Sequence, residues 1–434
     1  MSSSDRRTFL KVAGAASATT LFSAPAVQAQ GANERVTVAT IGCGGQGSAH
    51  VRSLLGLKDA RLAYVCDVDK GRLAKAAATA PDAKAVTDLR RVLDDKNVDA
   101  VTIATPDHWH ATAGLLALEA GKHVYVEKPC SHNVREGRLL LDKARAKNLK
   151  VQHGTQSRSS QGIANAVQML RDGIIGDVFV AKSWNWQRRA NIGRAQPATP
   201  PETLNYDMWV GPAEYVPYQS NRLHYNWHWW YNFGCGGIGN DGIHDLDYAM
   251  WGLGVDTHPS TVSGMGSKFF FDDDQEFPDT QQVTFEYPGN GQTGKRRMLV
   301  YEQRLWSTTY PHNVDSGAEF YGTKGMMFLS KRGKITIRGE RNREIKDRPE
   351  GRIGGSVSNH QQNWIDCIRS GKTPRADIEI AHRTATVVHL GNIGARVGKT
   401  LEFDAKNERI TNDQAADKML SREYREGHWA APDA

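Results

Sequence analysis

A lysine held against a proline is the first feature of this sequence with potential for chemistry. Lys128 closes the segment Gly121-Lys-His-Val-Tyr-Val-Glu-Lys-Pro129, which is typical of a helix-ending glycine, a short strand and a turn. Strand ends in α/β proteins face a crevice, so Lys128 is a candidate acid or base with Glu127 as its charge partner. Pro129 restricts the backbone of Lys128 and is a candidate for a cis bond. A surface lysine in a strand-to-helix loop is the alternative.

An amide and an imidazole form a second candidate pair. Asn240 and His244 open a predicted helix that runs to Trp251, and a spacing of four residues puts them on one helical face. Asp241 points about 100° around that helix from Asn240, so it is not an obvious substitute for it. The helix follows an aromatic run, residues 225–231, that could stack on a sugar or pack as a core cluster. We expect one or two of its side chains, Trp227 among them, to touch a ligand.

The same stretch also contains side chains that could bind a metal. They are His224, His228, Asp241, His244 and Asp245. Their spacing lacks a zinc motif such as H-E-x-x-H, so we expect no metal.

A glycine-rich turn stands near the start of the chain in the context that dinucleotide binding requires. A predicted strand, Val36–Ile41, leads into Gly42-Cys43-Gly44-Gly45-Gln46-Gly47, and a helical stretch follows. These glycines allow a tight turn, close approach of a pyrophosphate and tight packing of helix on strand. A second predicted strand ends at Asp67, whose carboxylate would bind both ribose hydroxyls and repel a 2′-phosphate. The pattern therefore predicts NAD rather than NADP.

A third loop is predicted at the same edge of the sheet. The apolar strand 98–105 ends in Thr105-Pro106-Asp107-His108-Trp109-His110. Trp109 could flank the nicotinamide, and His108 or His110 could face substrate. Local contacts at a helix start are the alternative for His110. Further helices are predicted at 73–80, 87–94 and 134–147, and a last strand at 149–153, which closes a doubly wound parallel domain near residue 155.

Together, these three motifs resemble the Gfo/Idh/MocA oxidoreductase family, which includes glucose–fructose oxidoreductase and inositol dehydrogenase. The resemblance implies a Rossmann domain followed by a domain with a large, mostly antiparallel sheet that carries the substrate face and an oligomer interface. Family members move the substrate's hydroxyl proton with the lysine of Glu-Lys-Pro, an Asp and a His. By position these are Lys128, Asn240 and His244. Because Asn cannot act as a base, we assign proton transfer to Lys128 and His244 and substrate anchoring to Asn240.

The expected site residues follow from the motifs and the resemblance. The expected cofactor contacts are Gly42, Gly44, Gly45, Gln46, Gly47, Asp67, Thr105, Pro106, His110, Glu127 and Lys128. The expected substrate contacts are Trp109, Arg158, Trp227 and Asp241. His382, on a late helix, either approaches the substrate or is purely structural.

The first 29 residues match a twin-arginine export signal, with Arg6-Arg7 before a mildly apolar stretch and Val27-Gln28-Ala29 at the cleavage site. An accidental Arg-Arg before an Ala-rich tail is the alternative. We expect a periplasmic or otherwise exported protein, a partner of the twin-arginine translocation machinery, with no stable membrane anchor. The expected domains are 30–155 for NAD binding, 156–375 for substrate and oligomerisation, and 376–434 for a helix that returns to the nucleotide domain and a terminal arm.

Composition excludes some classes of function. The formal charge of +7 over 434 residues is dispersed, so nucleic-acid binding is not expected. The five cysteines are scattered without a C-x-x-C pair, which indicates free buried thiols.

The sequence therefore predicts an exported oxidoreductase that transfers hydride between a hydroxyl of a sugar, glycoside or cyclitol and a tightly held NAD. One alternative is a redox-neutral glycoside hydrolase or lyase that works by transient oxidation. Another is a sugar-binding relative without catalysis. A homo-oligomer, dimer or tetramer, is expected, and the sugar is not specified.

Overall fold

A computed structural model describes residues 35–289 and 294–432 of the chain. The predicted export signal, residues 1–29, lies outside the described residues. Residues from Arg35 onward form a single unit that contains two sheets. Within the described ranges, no helix is both long and apolar enough to cross a membrane.

The first sheet has six parallel strands in the order β3-β2-β1-β4-β5-β6. Its strands are β1 (Val36–Ile41), β2 (Ala60–Cys66), β3 (Lys84–Val86), β4 (Ala100–Ile103), β5 (His123–Val126) and β6 (Val151–His153). Its helices are α1 (Gly45–Gly56), α2 (Lys70–Thr79), α3 (Arg90–Leu93), α4 (Asp107–Glu119) and α5 (Val134–Ala146). Every residue of β1 is buried, as expected for a parallel strand covered on both faces.

The second sheet has ten strands in the order β14-β13-β12-β11-β7-β10-β9-β8-β15-β16. Its strands are β7 (Val178–Asn185), β8 (Thr261–Ser267), β9 (Thr280–Tyr287), β10 (Arg297–Arg304), β11 (Ser316–Gly322), β12 (Gly325–Ser330), β13 (Lys334–Gly339), β14 (Glu344–Ile345), β15 (Thr400–Asp404) and β16 (Arg409–Ile410). The helices between β6 and β8 are α6 (Gln161–Arg171), α7 (Tyr206–Val210) and α8 (Ile243–Leu253). The pairing is antiparallel except between β7 and β10, which confirms the predicted mostly antiparallel sheet.

The last helices connect the two sheets. They are α9 (Val357–Ser370), α10 (Ile378–Val397) and α11 (Gln414–Lys418). Ile378, Ala381 and Ala385 of α10 belong to the core of the parallel sheet, whereas Val387 and Leu390 belong to the core of the antiparallel sheet. This helix therefore packs against both sheets.

Two local predictions need correction. The helix expected over residues 87–94 is only the single turn α3, and the short edge strand β3 before it was not predicted. Asn240 does not lie in an α-helix, because Ile238–Gly242 forms a π-helical turn and α8 begins at Ile243. The five cysteines are free and buried, as predicted.

Candidate active site

A cavity of about 670 Å³ lies at the carboxyl edge of the parallel sheet. Its size is typical of small-molecule sites. Residues from both halves of the chain form its wall, including Gly42, Gly44, Gly45, Gln46, Asp67, Thr105, Pro106, Trp109, His110, Glu127, Lys128, Trp227, Asn240, Asp241 and His244. Loops and helix starts from β1, β2, β4 and β5 therefore meet the π-helical turn in one place.

The glycine turn has the shape of a pyrophosphate cradle. Gly42 adopts a φ of +85°, and a Cβ there would lie 2.6 Å from the carbonyl oxygen of Ala104. A Cβ on Gly47 would collide with the backbone of Gly42, which explains why Gly47 packs below the turn and does not line the cavity. Gly45 has open space around it and starts α1, whose first residues, Gly45 and Gln46, line the cavity.

Asp67 closes the adenosine end of this cradle. Its Oδ2 accepts a hydrogen bond from the Cys43 backbone at 2.7 Å, and its Oδ1 accepts one from the Asp69 backbone at 2.9 Å. Burial raises the pKa of this carboxyl, and the two backbone donors oppose the shift. Each oxygen keeps a lone pair for a ribose hydroxyl, so the residues present fit NAD.

The topology fixes the direction of the cofactor. Asp67 follows β2, on one side of β1, whereas Thr105 follows β4 and Lys128 follows β5, both on the other side. A dinucleotide with its pyrophosphate at β1 and its adenosine at β2 must direct its nicotinamide towards β4 and β5. Thr105 lines this end, and its buried Oγ1 has no hydrogen-bond partner among the described residues.

Lys128 is held by the π-helical turn. Its Nζ donates to the carbonyl oxygen of Asn240 at 2.5 Å and lies 3.4 Å from the Oδ1 of the same residue. The amide nitrogen of Asn240 donates to the hydroxyl of Tyr225 at 2.9 Å. Asn240 is thus buried between a cation and a phenol, and the peptide bond between Lys128 and Pro129 is cis.

His244 and Asp241 lie on the same wall with opposite electrostatics. Burial and the nearby charges of Lys331 and Lys128 hold the pKa of His244 well below its ordinary value, so its imidazole is neutral and can accept a proton. Burial favours the neutral form of Asp241, but attraction to Arg189 and Lys128 outweighs it and lowers the pKa of Asp241. Asp241 forms an ion pair with Arg189. The site therefore contains a neutral base beside a fixed carboxylate.

Comparison with known proteins agrees with this geometry. Residues 36–155 match the "Oxidoreductase family, NAD-binding Rossmann fold" and residues 174–431 match the "Oxidoreductase family, C-terminal alpha/beta domain". The chain belongs to the Gfo/Idh/MocA oxidoreductase family. It is an NAD-dependent oxidoreductase.

Members of this family with known names resemble the chain over most of its length. Scyllo-inositol 2-dehydrogenase (NAD(+)) of Bacillus subtilis is 26% identical over 347 residues, which are 78% of this chain and 88% of the relative. A levoglucosan dehydrogenase structure in complex with NADH has a TM-score of 0.66 at 17% identity and covers 85% of this chain and 99% of its own. Aldose-aldose oxidoreductase of Caulobacter crescentus has the same TM-score and identity and covers 85% of this chain and 100% of its own. The two structures establish the shared fold.

Glu127 and Lys128, predicted as charge partners, do not bind each other through their side chains. Glu127 instead contacts His50 of α1, whose Nε2 lies 2.8 Å from its Oε1. The Nζ of Lys128 is bound to Asn240, and only its backbone nitrogen donates to Glu127, at 3.2 Å. The sequence placed the two residues side by side, but the partners of their side chains lie far away in the chain, His50 for Glu127 and Asn240 for Lys128.

Arg158 was predicted as a substrate contact, but it belongs to a buried ion pair with Asp247. It does not line the cavity. Its Nε donates to both carboxylate oxygens of the buried Asp247, at 2.9 and 3.1 Å, and its guanidinium lies over the ring of Trp251. The guanidinium neutralises a carboxylate that burial would otherwise destabilise, so it is not available to a ligand.

The histidines divide between structural and cavity positions. His110 lines the cavity, but both of its ring nitrogens face carbonyl oxygens, those of Pro129 at 2.6 Å and Thr105 at 2.9 Å, which favours the local interpretation. His108 is buried against the carbonyl of Trp209 and does not reach the cavity. His382 is structural, since its Nε2 binds Glu408 at 2.7 Å.

Four of the five side chains considered for a metal line the cavity, but among the described residues no three of the five place ligand atoms close enough to share an ion. His224 contacts Asp69, and Asp245 is paired with Lys331. Among the described residues, the histidines and carboxylates that lie close enough to share an ion are His258, His382 and Glu408. These lie outside the cavity wall, and Arg138 binds the Glu408 carboxylate.

Several lining residues were missed from the sequence. Tyr225 and Arg189 contact Asn240 and Asp241, Arg332 lines the substrate end, and Arg72 lies over Gly44. The aromatic run pointed towards Tyr225, and Trp227 also lines the cavity while Trp229 and Trp230 pack in a core. No local pattern pointed to Arg189 or Arg332, since both lie in irregular segments far from the motifs.

Proposed function

We propose that the protein is an exported oxidoreductase that moves hydride between a hydroxyl-bearing carbon of a sugar, glycoside or cyclitol and an NAD that stays bound. The observation that carries the proposal is the position of the Lys128 ammonium. It is fixed by Asn240 in the same cavity as a neutral His244, at the nicotinamide end of the glycine cradle. The names of the inositol, levoglucosan and aldose enzymes support a polyhydroxylated substrate.

The roles of the side chains follow from their chemistry. NAD⁺, held by the glycine turn and Asp67, would supply the hydride acceptor for the hydrogen of the substrate C–H bond. Lys128 donates a hydrogen bond to the substrate oxygen and orients it, because the carbonyl of Asn240 holds its Nζ in place. His244 accepts the hydroxyl proton as the carbonyl forms, and Asp241 stabilises the resulting imidazolium. Lys128 and His244 are thus the groups proposed for proton transfer from the sequence, and Asn240, expected there as a substrate anchor, also positions Lys128.

Export and retention of the cofactor belong to the same proposal. The Arg6-Arg7 segment is typical of the route that carries folded proteins. Outside the cytoplasm there is no renewable pool of NAD, so one substrate would be oxidised and another reduced on the same bound cofactor. Assembly as a dimer or tetramer stays a prediction.

The proposal is tested on the purified exported protein. Denaturation should release NAD in near-stoichiometric amount. Adding a panel of sugars, glycosides and cyclitols to the native protein should give the absorbance of bound NADH with at least one of them, and a second carbonyl compound should reverse it. A substrate cleaved without net redox change would instead indicate the hydrolase or lyase. Failure of every compound to reduce the bound NAD⁺ would favour a binding protein.

The decisive variant is Lys128→Met, which removes the ammonium and keeps the length of the side chain. Reduction of bound NAD⁺ should fall by at least a hundredfold while the nucleotide remains bound, consistent with loss of one proton-handling group. Lys147→Met is the matched control, since Lys147 lies on the surface paired with Glu119. Wild-type reduction in Lys128→Met would refute the assignment.

A further inference from the structure

A buried carboxylate stands at the nicotinamide end of the cavity, and its hydrogen-bond partners among the described residues include the imidazole of His50. Glu127 is 4% exposed and lines the cavity at the end of β5. Its Oε1 accepts from Gln46 at 3.0 Å and from Gln156 at 3.3 Å, besides the contact with His50. Burial raises the pKa of Glu127, but the hydrogen bond from His50 and the charges near it lower the pKa to about 2. Glu127 is therefore a fixed negative charge.

The proton on His50 is directed by a residue from the far end of the chain. The amide nitrogen of Gln361, on α9, lies 2.9 Å from the Nδ1 of His50. An amide nitrogen can only donate, so Nδ1 accepts and the Nε2 proton is free for Glu127. His50 and Gln361 are both fully buried. The chain Gln361–His50–Glu127 thus runs from α9 through α1 to the cavity.

The oxidised nicotinamide carries a positive charge and the reduced one does not. We infer that Glu127 stabilises bound NAD⁺ over bound NADH, and that His50 and Gln361 are positioning residues that keep Glu127 ionised and in place. The inference rests on the binding of NAD at this cradle and needs no particular sugar. The inference can therefore be refuted without refuting the proposed function, and the proposed function without refuting the inference.

Other titratable groups face Glu127 and must be considered in any pH series. They are Tyr125 of β5, Lys128, His153 of β6, His244 of α8 and His360 of α9. Burial lowers the pKa of His153 to about 3 and that of His360 to about 4, and burial raises the pKa of Tyr125 well above its usual range. These three groups therefore each keep one protonation state between about pH 5.5 and about pH 9.

The experiment measures the redox state of the bound cofactor without any substrate. Full-length protein is incubated with excess NAD⁺ and NADH at a fixed ratio until the bound ratio is constant, then separated, denatured and analysed for both forms. In the wild type the bound ratio should favour NAD⁺ over the free ratio by about tenfold, which corresponds to about 30 mV for a two-electron couple. Glu127→Gln, which removes the charge and keeps the shape, should abolish this preference at every pH.

The positioning residues have a signature that a purely structural role would not give. In His50→Phe, Glu127 loses its main donor and its pKa rises, so the preference for NAD⁺ should persist near pH 9 and disappear near pH 5.5. The wild type should show no such change. Gln361→Leu should weaken the preference by about fivefold, as loss of one hydrogen bond predicts. Gln362→Leu is the matched control, because the neighbouring Gln362 binds Asp59 and Asp366 at the surface.

Two results would overturn the inference. An unchanged bound ratio in Glu127→Gln would show that its charge does not act on the nicotinamide. A pH-independent ratio in folded His50→Phe would remove the positioning role. If Glu127→Gln does not fold, the His50→Phe pH series and the pair Gln361→Leu and Gln362→Leu decide the question, since equal behaviour of that pair would also count against it.

Discussion

Replacing Arg158 by Met separates a structural role from the substrate role that the sequence predicted for this residue. The side chain of Arg158 is 11% exposed and that of its partner Asp247 is fully buried. Besides Arg158, the carboxylate of Asp247 accepts a hydrogen bond from the hydroxyl of Thr384 at 3.1 Å. Removing the arginine would leave a buried charge with one neutral donor. Loss of one partner from a buried pair costs about 3–5 kcal/mol, so the free energy of unfolding should fall by that amount.

The assay combines unfolding and kinetics. Unfolding in guanidinium, followed by tryptophan fluorescence, should shift to lower denaturant, while KM for an active sugar stays within about twofold because Arg158 lies outside the cavity wall. The double variant Arg158→Met with Asp247→Leu removes both charges and should recover much of the lost stability. An increase in KM with unchanged unfolding would refute the structural assignment and restore the substrate role. A double variant less stable than Arg158→Met would refute the buried-charge explanation.

Two further predictions concern the cradle and the base. Gly47→Ala should abolish NAD retention because its Cβ would meet the backbone of Gly42, whereas Gly45→Ala, with open space around it, should retain the nucleotide. The amount of NAD released on denaturation of each purified variant measures retention. Equal retention in the two variants would contradict the packing argument. Since the pKa of His244 lies well below 6.5, its neutral form persists as pH falls, and the acidic limb of the kcat/KM profile should lie well below pH 6.5. His244→Gln should lower kcat about 10²–10⁴-fold. An acidic limb at the ordinary histidine pKa would contradict the assignment of His244 as the base.

The parts of the site that could be predicted are those set by short-range geometry. The turn from Gly42 to Gly47 and the acid at Asp67 follow from a strand, a turn and a helix that are contiguous in the sequence. Lys128 could be placed at the cavity because the carboxyl ends of parallel strands all lie at one edge of the sheet. The two halves of the fold could be predicted from hydrophobic patterns. Apolar strands that alternate with helices indicate the parallel sheet of the first half, and strands in which polar and apolar residues alternate indicate the antiparallel sheet of the second.

The parts that could not be predicted depend on partners far apart in the chain. The contact of Glu127 with His50 joins residues 77 apart, and that of Arg158 with Asp247 joins residues 89 apart. Adjacency in sequence suggested Lys128 as the partner of Glu127, but His50 binds the side chain of Glu127 and Asn240 binds that of Lys128. The π-helical turn at Ile238–Gly242 was not predicted, because the sequence pattern indicated an ideal α-helix from Asn240 onward; the expected substrate contact Asp241 lies on this turn and lines the cavity.

The helix α10 couples the stability of the two halves of the protein. Its first turns complete the hydrophobic core beneath the parallel sheet, and its later turns complete the core of the antiparallel sheet. A fragment that stops before Ile378 would expose apolar surface on both sides at once. The nucleotide domain therefore cannot be cut out at residue 155 and studied alone, and a change that loosens α10 should release cofactor and disrupt the substrate wall in a single cooperative event.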